Sequence, residues 1–253
     1  MSPVDHRQQR YEQTYIILAA VFIASLVACN LIFRKFFVLT IPVPWGDGSY
    51  AFEQSVGILA YPVTFLVTDI LSEIYGRRRA NQVVTGGFFA SAFVLLLLWV
   101  SNSTTNTPWS TPPNGWLDEK MFAHVFGQAW QPITASMAAY LTAQYLDIRF
   151  FHFWRRLTDG RHLWLRNNAS TICSQVIDTG VVLALLATLP QEGDKGLTWE
   201  QFPSLFMNGV LFKVMFAAFD TPVFYLAVYW FRRWFPEQVD AVHRETATSG
   251  NPR

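Results

Sequence analysis

Six runs of predominantly apolar residues, near 14–33, 54–75, 80–101, 121–146, 167–189 and 203–231, are each about as long as a helix needs to be to cross a bilayer. In hydrocarbon no water satisfies backbone N–H and C=O groups, so runs of this length must satisfy their own by forming helices. The expected fold is all-α: a polytopic membrane protein with six transmembrane helices in a bundle. Residues 1–13 are expected to be a cytoplasmic N-terminal tail, 14–235 the six-helix transmembrane domain and 236–253 a cytoplasmic C-terminal tail. Composition agrees, with 51% apolar residues, 15% charged residues, 22 Phe and 10 Trp. The start, MSPVDHRQQRYEQ, is polar and has no cleavage signal, so the first run reads as a retained helix.

Basic residues set the expected orientation. The N-terminus, the connections 76–79 and 147–166 and the C-terminus share fourteen arginines, whereas the alternate connections hold only Arg34, Lys35, Lys120 and Lys195. Positive charge concentrates on the cytoplasmic side, so both termini are expected there. The net charge of +1 adds nothing, because sign matters loop by loop. The connection 34–53, RKFFVLTIPVPWGDGSYAFE, predicts a short hairpin or re-entrant cover, with Pro42, Pro44, Gly46 and Gly48 as turn residues. The Ser/Thr/Asn/Pro-rich connection 102–120 has no apolar period and predicts irregular structure.

The stretch YPVTFLVTDILSEIYGRRRA at 61–80 places two carboxylates on an apolar helix. Asp69 and Glu73 are four apart and share one face, with Thr68 and Ser72 flanking them. An ionisable group facing hydrocarbon costs at least about 2.5–3.5 kcal/mol, so this face must look at packed protein, a partner or water. Pro62 removes a helical hydrogen bond and would free the carbonyl of Ile58. Glu73 lies four before Arg77, which predicts an interfacial salt bridge between them.

Three further runs carry polar groups. In the fourth, Ala135, Ala139 and Ala143 form a smooth stripe suited to close helix packing, beside His124, Gln128, Gln131, Tyr140 and Gln144. Gln144 is either an amide bonded to a neighbouring helix or a ligand contact. The fifth run bears a polar stripe from Asn168 through Thr171 and Gln175 to Asp178. At ~1.5 Å per residue Asp178 lies about 16 Å deep and Lys213, entering from the other side, about 15 Å, so the two form a candidate buried ion pair. The same count puts Asp69 about 22 Å and Asp220 about 25 Å from the external side, a candidate proton-sensitive pair. Pro222 frees the carbonyl of Ala218 beside Asp220.

The 61–80 stretch resembles the signature of the queuosine precursor transporter family, a branch of the vitamin uptake transporters that import 7-deazaguanine bases such as preQ0 and preQ1. Asn30 in ACNLIF, ITASMAAYLTAQYLDIRFFHFWRR at 133–156, RNNASTICSQVIDTG at 166–180 and FKVMFAAFDTPVFY at 212–225 resemble further segments of the family, in order, over roughly 14–235. The resemblance implies an importer in the bacterial cytoplasmic (inner) membrane whose partners are a small 7-deazapurine base and the bilayer, with no nucleic acid; a homodimer is left open. It adds Asn30 and Glu73 to Asp69, Gln144, Asn168, Gln175, Asp178, Lys213 and Asp220 as candidate substrate-binding residues. The chemistry fits: a guanine-like base presents a ring N–H and an amine side by side, which one carboxylate accepts, while Asn or Gln serves the carbonyl edge. Its flat ring favours an aromatic or guanidinium face.

Two cysteines, Cys29 and Cys173, lie in separate apolar runs and the five histidines are scattered, so neither a disulfide, a metal site nor any other cofactor is expected. No catalytic signature and no G-x-x-x-x-G-K-[ST] loop occurs in the chain. The expectation is a transporter rather than an enzyme. Its alternative is a biotin-type substrate-binding membrane subunit energised by a separate ATPase.

Overall fold

The computed structural model describes residues 3–42, 49–109, 112, 115, 118–157, 163–190 and 197–249. Its helices are α1 (Pro3–Leu31), α2 (Tyr61–Tyr75), α3 (Arg77–Asn102), the short α4 (Glu119–Phe122), α5 (Trp130–Leu157), α6 (Leu163–Thr188), α7 (Phe202–Trp234) and α8 (Pro236–Ser249). A hairpin, β1 (Phe36–Pro42) with β2 (Ser49–Ser55), stands between α1 and α2. The protein is thus a mainly helical, multi-pass membrane protein. Among the described residues four segments are long and apolar enough to cross a membrane: His6–Leu31, Val56–Tyr75, Arg78–Asn102 and Phe202–Trp234.

Two compact units divide the chain. One comprises Met1–Cys29, Gly57–Val94 and Met215–Arg253; the other comprises Asn30–Val56 and Leu95–Val214.

In the first unit, α1 begins well before its apolar run, because the Gln, Glu and Arg residues ahead of that run are good helix formers. Pro62 does not interrupt a continuous helix as its position in the apolar run suggests. A 3₁₀ turn, Val56–Ala60, precedes α2, and Pro62 falls in the first turn of α2, where a missing N–H removes no intrahelical bond. Gly76 ends α2 with φ 83°, a left-handed conformation that glycine adopts without steric penalty, and Arg77 starts a new helix. The final carbonyls of α2 have no intrahelical partner. One is satisfied from elsewhere, since the Tyr11 hydroxyl donates to the Ile74 carbonyl at 2.7 Å.

Around that bond sits the core of the unit. Leu71 and Ile74 are fully buried, and Val67, Ile70, Val83, Val228, Phe235 and Val239 close over them. Tyr11 lies 4.4 Å from Tyr75 and 5.5 Å from Phe235, ring centre to ring centre. The Tyr75 hydroxyl donates to the Tyr11 carbonyl at 2.9 Å. Arg79 holds Glu12 with two bonds of 2.8 and 3.0 Å and lies 5.3 Å over the ring of Tyr15. Helix α8 starts at Pro236, as suits an N-terminal proline, and packs against α2; Val242 reaches the space beside Gly76. Pro222 lies inside α7, so the Ala218 carbonyl loses its helical donor as expected.

In the second unit the expected hairpin forms. Its strands pair antiparallel from Phe36 with Ser55 to Pro42 with Ser49; Pro42, expected in the turn, is instead the last residue of β1, and the other expected turn residues, Pro44, Gly46 and Gly48, lie outside the described residues. Described residues of the 103–118 connection form only turns and bends. The alanine stripe is a packing face: Ala135 and Ala139 are fully buried, Ala143 nearly so, and α5 runs against α6.

Candidate functional site

The second unit buries a chain of polar side chains that begins at the hairpin. Asn208 of α7 is fully buried; it accepts from the Tyr50 hydroxyl and donates to the Glu53 carbonyl at 3.0 Å. Gln54, also buried, donates to the Leu205 carbonyl at 3.1 Å and accepts from the Ser55 N–H at 3.1 Å. Ser55 donates in turn to the Phe33 carbonyl. Strand β2 is therefore tied to α7 by side chains rather than by sheet pairing. Gly209 permits the close approach. A Cβ there would meet Thr179 at 3.0 Å and Gln54 at 3.2 Å, so those side chains would have to shift by a few tenths of an ångström to admit one.

Next to Thr179 lies the charged centre of the unit. Lys213 donates to the Asp178 carboxylate at 2.8 Å and to the Gln175 side-chain oxygen at 3.2 Å. Asp178 is 5% exposed. The depth count anticipated this pair, and Gln175 joins it because it stands three residues from Asp178 on the same face of α6. A buried carboxylate unaccompanied by a cation is expensive; paired and hydrogen-bonded, it persists. Asn30, buried in the same unit, accepts from the Ser136 hydroxyl at 2.9 Å.

Beside the hairpin is a cavity of about 430 Å³. Its wall comes from the α1–β1 connection and β1 (Phe33, Arg34, Phe36, Phe37, Val38), from Glu53 of β2 and from the ends of α5, α6 and α7. Arg34 donates to the Gln128 side chain and Gln131 to the Pro190 carbonyl. Three aromatic rings, a carboxylate and a guanidinium thus line one space.

The remaining expected residues belong to the first unit or fall beyond description. Asp69 on α2 and Asp220 on α7 are close enough for their charges to interact. Asp69 is exposed rather than packed, and Thr68 beside it bonds to the Thr64 and Phe65 carbonyls of its own helix, so the hydroxyl is turned to the backbone. Glu73 does not follow the expected pairing. It accepts from Arg232 of α7 at 3.0 Å, because the break at Gly76 places Arg77 on a different helix and removes the four-residue geometry. The side chains of Gln144 and Asn168 lie outside the described residues.

Residue-type reasoning missed Asn208 and Gln54. A lone amide in the apolar context FMNGV was the available signal for Asn208. Glu53, the carboxylate of the cavity, had no signal, since an acid in a loop-like connection is ordinarily solvated.

Comparison with known proteins decides the family. The profile described as "Putative vitamin uptake transporter" matches residues 55–227. The chain belongs to the vitamin uptake transporter family. This is a family of transporters, not of enzymes. A Bacillus subtilis (strain 168) protein named "Probable queuosine precursor transporter" is 28% identical over 137 residues, 54% of this chain and 57% of that protein. The Escherichia coli (strain K12) "Queuosine precursor transporter" is 28% identical over 160 residues, 63% of this chain and 65% of that protein. A Haemophilus influenzae protein with the same name as the first is 23% identical over 186 residues, 73% of this chain and 74% of its own. The chain thus spans less than two thirds of the first two relatives. No solved structure matches it.

Proposed function

We propose that this protein imports queuosine precursors, 7-deazaguanine bases of the preQ0 and preQ1 type, across a bacterial cytoplasmic membrane. The observation that carries the reading is the similarity to proteins named queuosine precursor transporters in three bacteria. The buried Asp178, Gln175 and Lys213 group supplies chemistry that suits the substrate: a carboxylate for the N–H edge of the base and an amide for its carbonyl. In this reading the base displaces part of the Lys213 interaction during passage, so the pair neutralises the empty site and binds the loaded one. Asp69 and Asp220 act as a proton-sensitive pair on the route, and Asn30, Gln144, Asn168 and Glu73 contribute further contacts.

The same reading takes α5 and α6 as spans alongside the four more apolar ones. At 28 and 26 residues and ~1.5 Å each they are long enough, and their polar stripes would face the bundle. Both termini are cytoplasmic by the distribution of arginines.

The test is thermal stabilisation of the detergent-solubilised protein by preQ0, preQ1, queuine, guanine and biotin, followed by uptake into liposomes holding this chain alone. A ligand bound to the folded state raises the midpoint. Stabilisation by deazaguanines and uptake without an ATPase are expected; stabilisation by biotin alone would replace the substrate assignment. Asp178→Asn is expected to abolish uptake while the protein still inserts. Recovery of near-normal uptake by Asp178→Lys combined with Lys213→Asp would make the pair structural.

A further inference from the structure

The cavity under the hairpin is distinct from the Asp178–Lys213 pair. Leu205, which lines the cavity, and Lys213 are eight residues apart on α7, about 12 Å along its axis. Between them lies the layer made by Gln54, Asn208 and the Phe52–Phe212 ring pair, whose centres are 6.5 Å apart. A ligand in the cavity therefore stands one layer away from the ion pair.

Size and lining indicate what the cavity accepts. A volume of about 430 Å³ falls in the range of sites for small organic ligands and is ample for a bicyclic ring. Phe33, Phe36 and Phe37 offer faces or edges to a flat ring, and Leu183, Leu186 and Leu205 close the apolar side. Glu53 is an exposed residue at the wall, and among the described residues no hydrogen bond to its carboxylate is seen. Arg34 at the same wall stays engaged with Gln128. Among the described residues the carboxylate is thus an acceptor without a hydrogen bond, and a ring that carries two adjacent N–H donors complements it.

We propose that this cavity is a capture site for a planar nitrogen heterocycle, with Glu53 accepting from the donor edge of the ring and the hairpin phenylalanines covering its face. It rests on the substrate class proposed above and adds a second, outer station to it. The Gln54–Asn208 layer, which ties the hairpin to α7, is the partition that the base crosses to reach Asp178.

The experiment compares the full-length protein with Glu53→Gln and Glu53→Asp, measuring affinity for preQ1 and guanine by thermal stabilisation. In parallel, Val38→Cys, which places a thiol in the cavity wall, is labelled with a maleimide above the background of Cys29 and Cys173. Glu53→Gln is expected to weaken binding at least tenfold, Glu53→Asp to retain most of it, and saturating base to protect Cys at position 38. If a deazaguanine stabilises the starting protein, yet Glu53→Gln binds it equally and position 38 labels at an unchanged rate, the capture site is refuted and the transport reading stands. If no base in the panel stabilises the starting protein or slows labelling, both are refuted.

Discussion

The two units of this chain solve the same problem, cohesion in a solvent that does not favour apolar contact, in different ways. Of the buried polar or charged side chains among the described residues, only Thr64 and Ser91 belong to the first unit; Asn30, Gln54, Ser55, Gln128, Gln131, Ser174, Asp178, Thr179 and Asn208 belong to the second. The first is held by close packing around Leu71 and Ile74, with few buried polar side chains and with the Tyr11 hydroxyl serving the Ile74 carbonyl at the end of α2. In lipid such packing acts through van der Waals contact rather than release of water. The second unit buries amides, hydroxyls and an ion pair, each matched to a partner. A buried polar group is tolerated only when bonded, and the bonding fixes position narrowly. On the function proposed above, that contrast assigns the main recognition groups to the second unit and mostly support to the first.

The contrast breaks most sharply at Lys213. Lys213→Ala leaves Asp178 buried without its cation and is expected to lower stability by about 3–5 kcal/mol, whereas Lys213→Met with Asp178→Leu recovers most of the loss. Midpoints of unfolding in detergent measure both. An unchanged midpoint for the single variant would mean that the second unit does not depend on its polar pairing.

Leu71→Ala applies the corresponding stress to the first unit, where the expected loss of about 2–5 kcal/mol comes from a cavity instead of an orphaned charge. Substrate affinity, corrected for the folded fraction, should stay as it was. A fall in affinity as large as that from Asp178→Asn would erase the division between support and recognition.

Tyr11→Phe sharpens the same point at smaller scale. It keeps the ring stack and removes only the bond to the Ile74 carbonyl, for an expected loss of about 1 kcal/mol. Glu73→Gln should have the smallest effect, about 0–1 kcal/mol, because its pair with Arg232 is half exposed. A double-mutant cycle with Arg232→Gln reads that coupling directly, and a value well above 1 kcal/mol would show the pair to be shielded from solvent in the membrane.

Helices, membrane habit, the hairpin and the pairing of Asp178 with Lys213 were all legible from residue order. Each depends on a local property: apolar length, turn residues, or a rise per residue that turns position into depth. The packing role of Ala135, Ala139 and Ala143 was legible for the same reason, since helical spacing alone puts them on one stripe. Glu73 shows where that logic ends. Four-residue spacing predicts a partner only while the helix continues, and one glycine at φ 83° redirected the chain so that Arg232, remote in sequence, became the partner. The tie of Gln54 and Asn208 between β2 and α7, and the cavity that brings Glu53 beside three phenylalanines, were decided by tertiary structure alone. Such groupings join segments about 150 residues apart, and no local periodicity encodes which loop will close over which helix end.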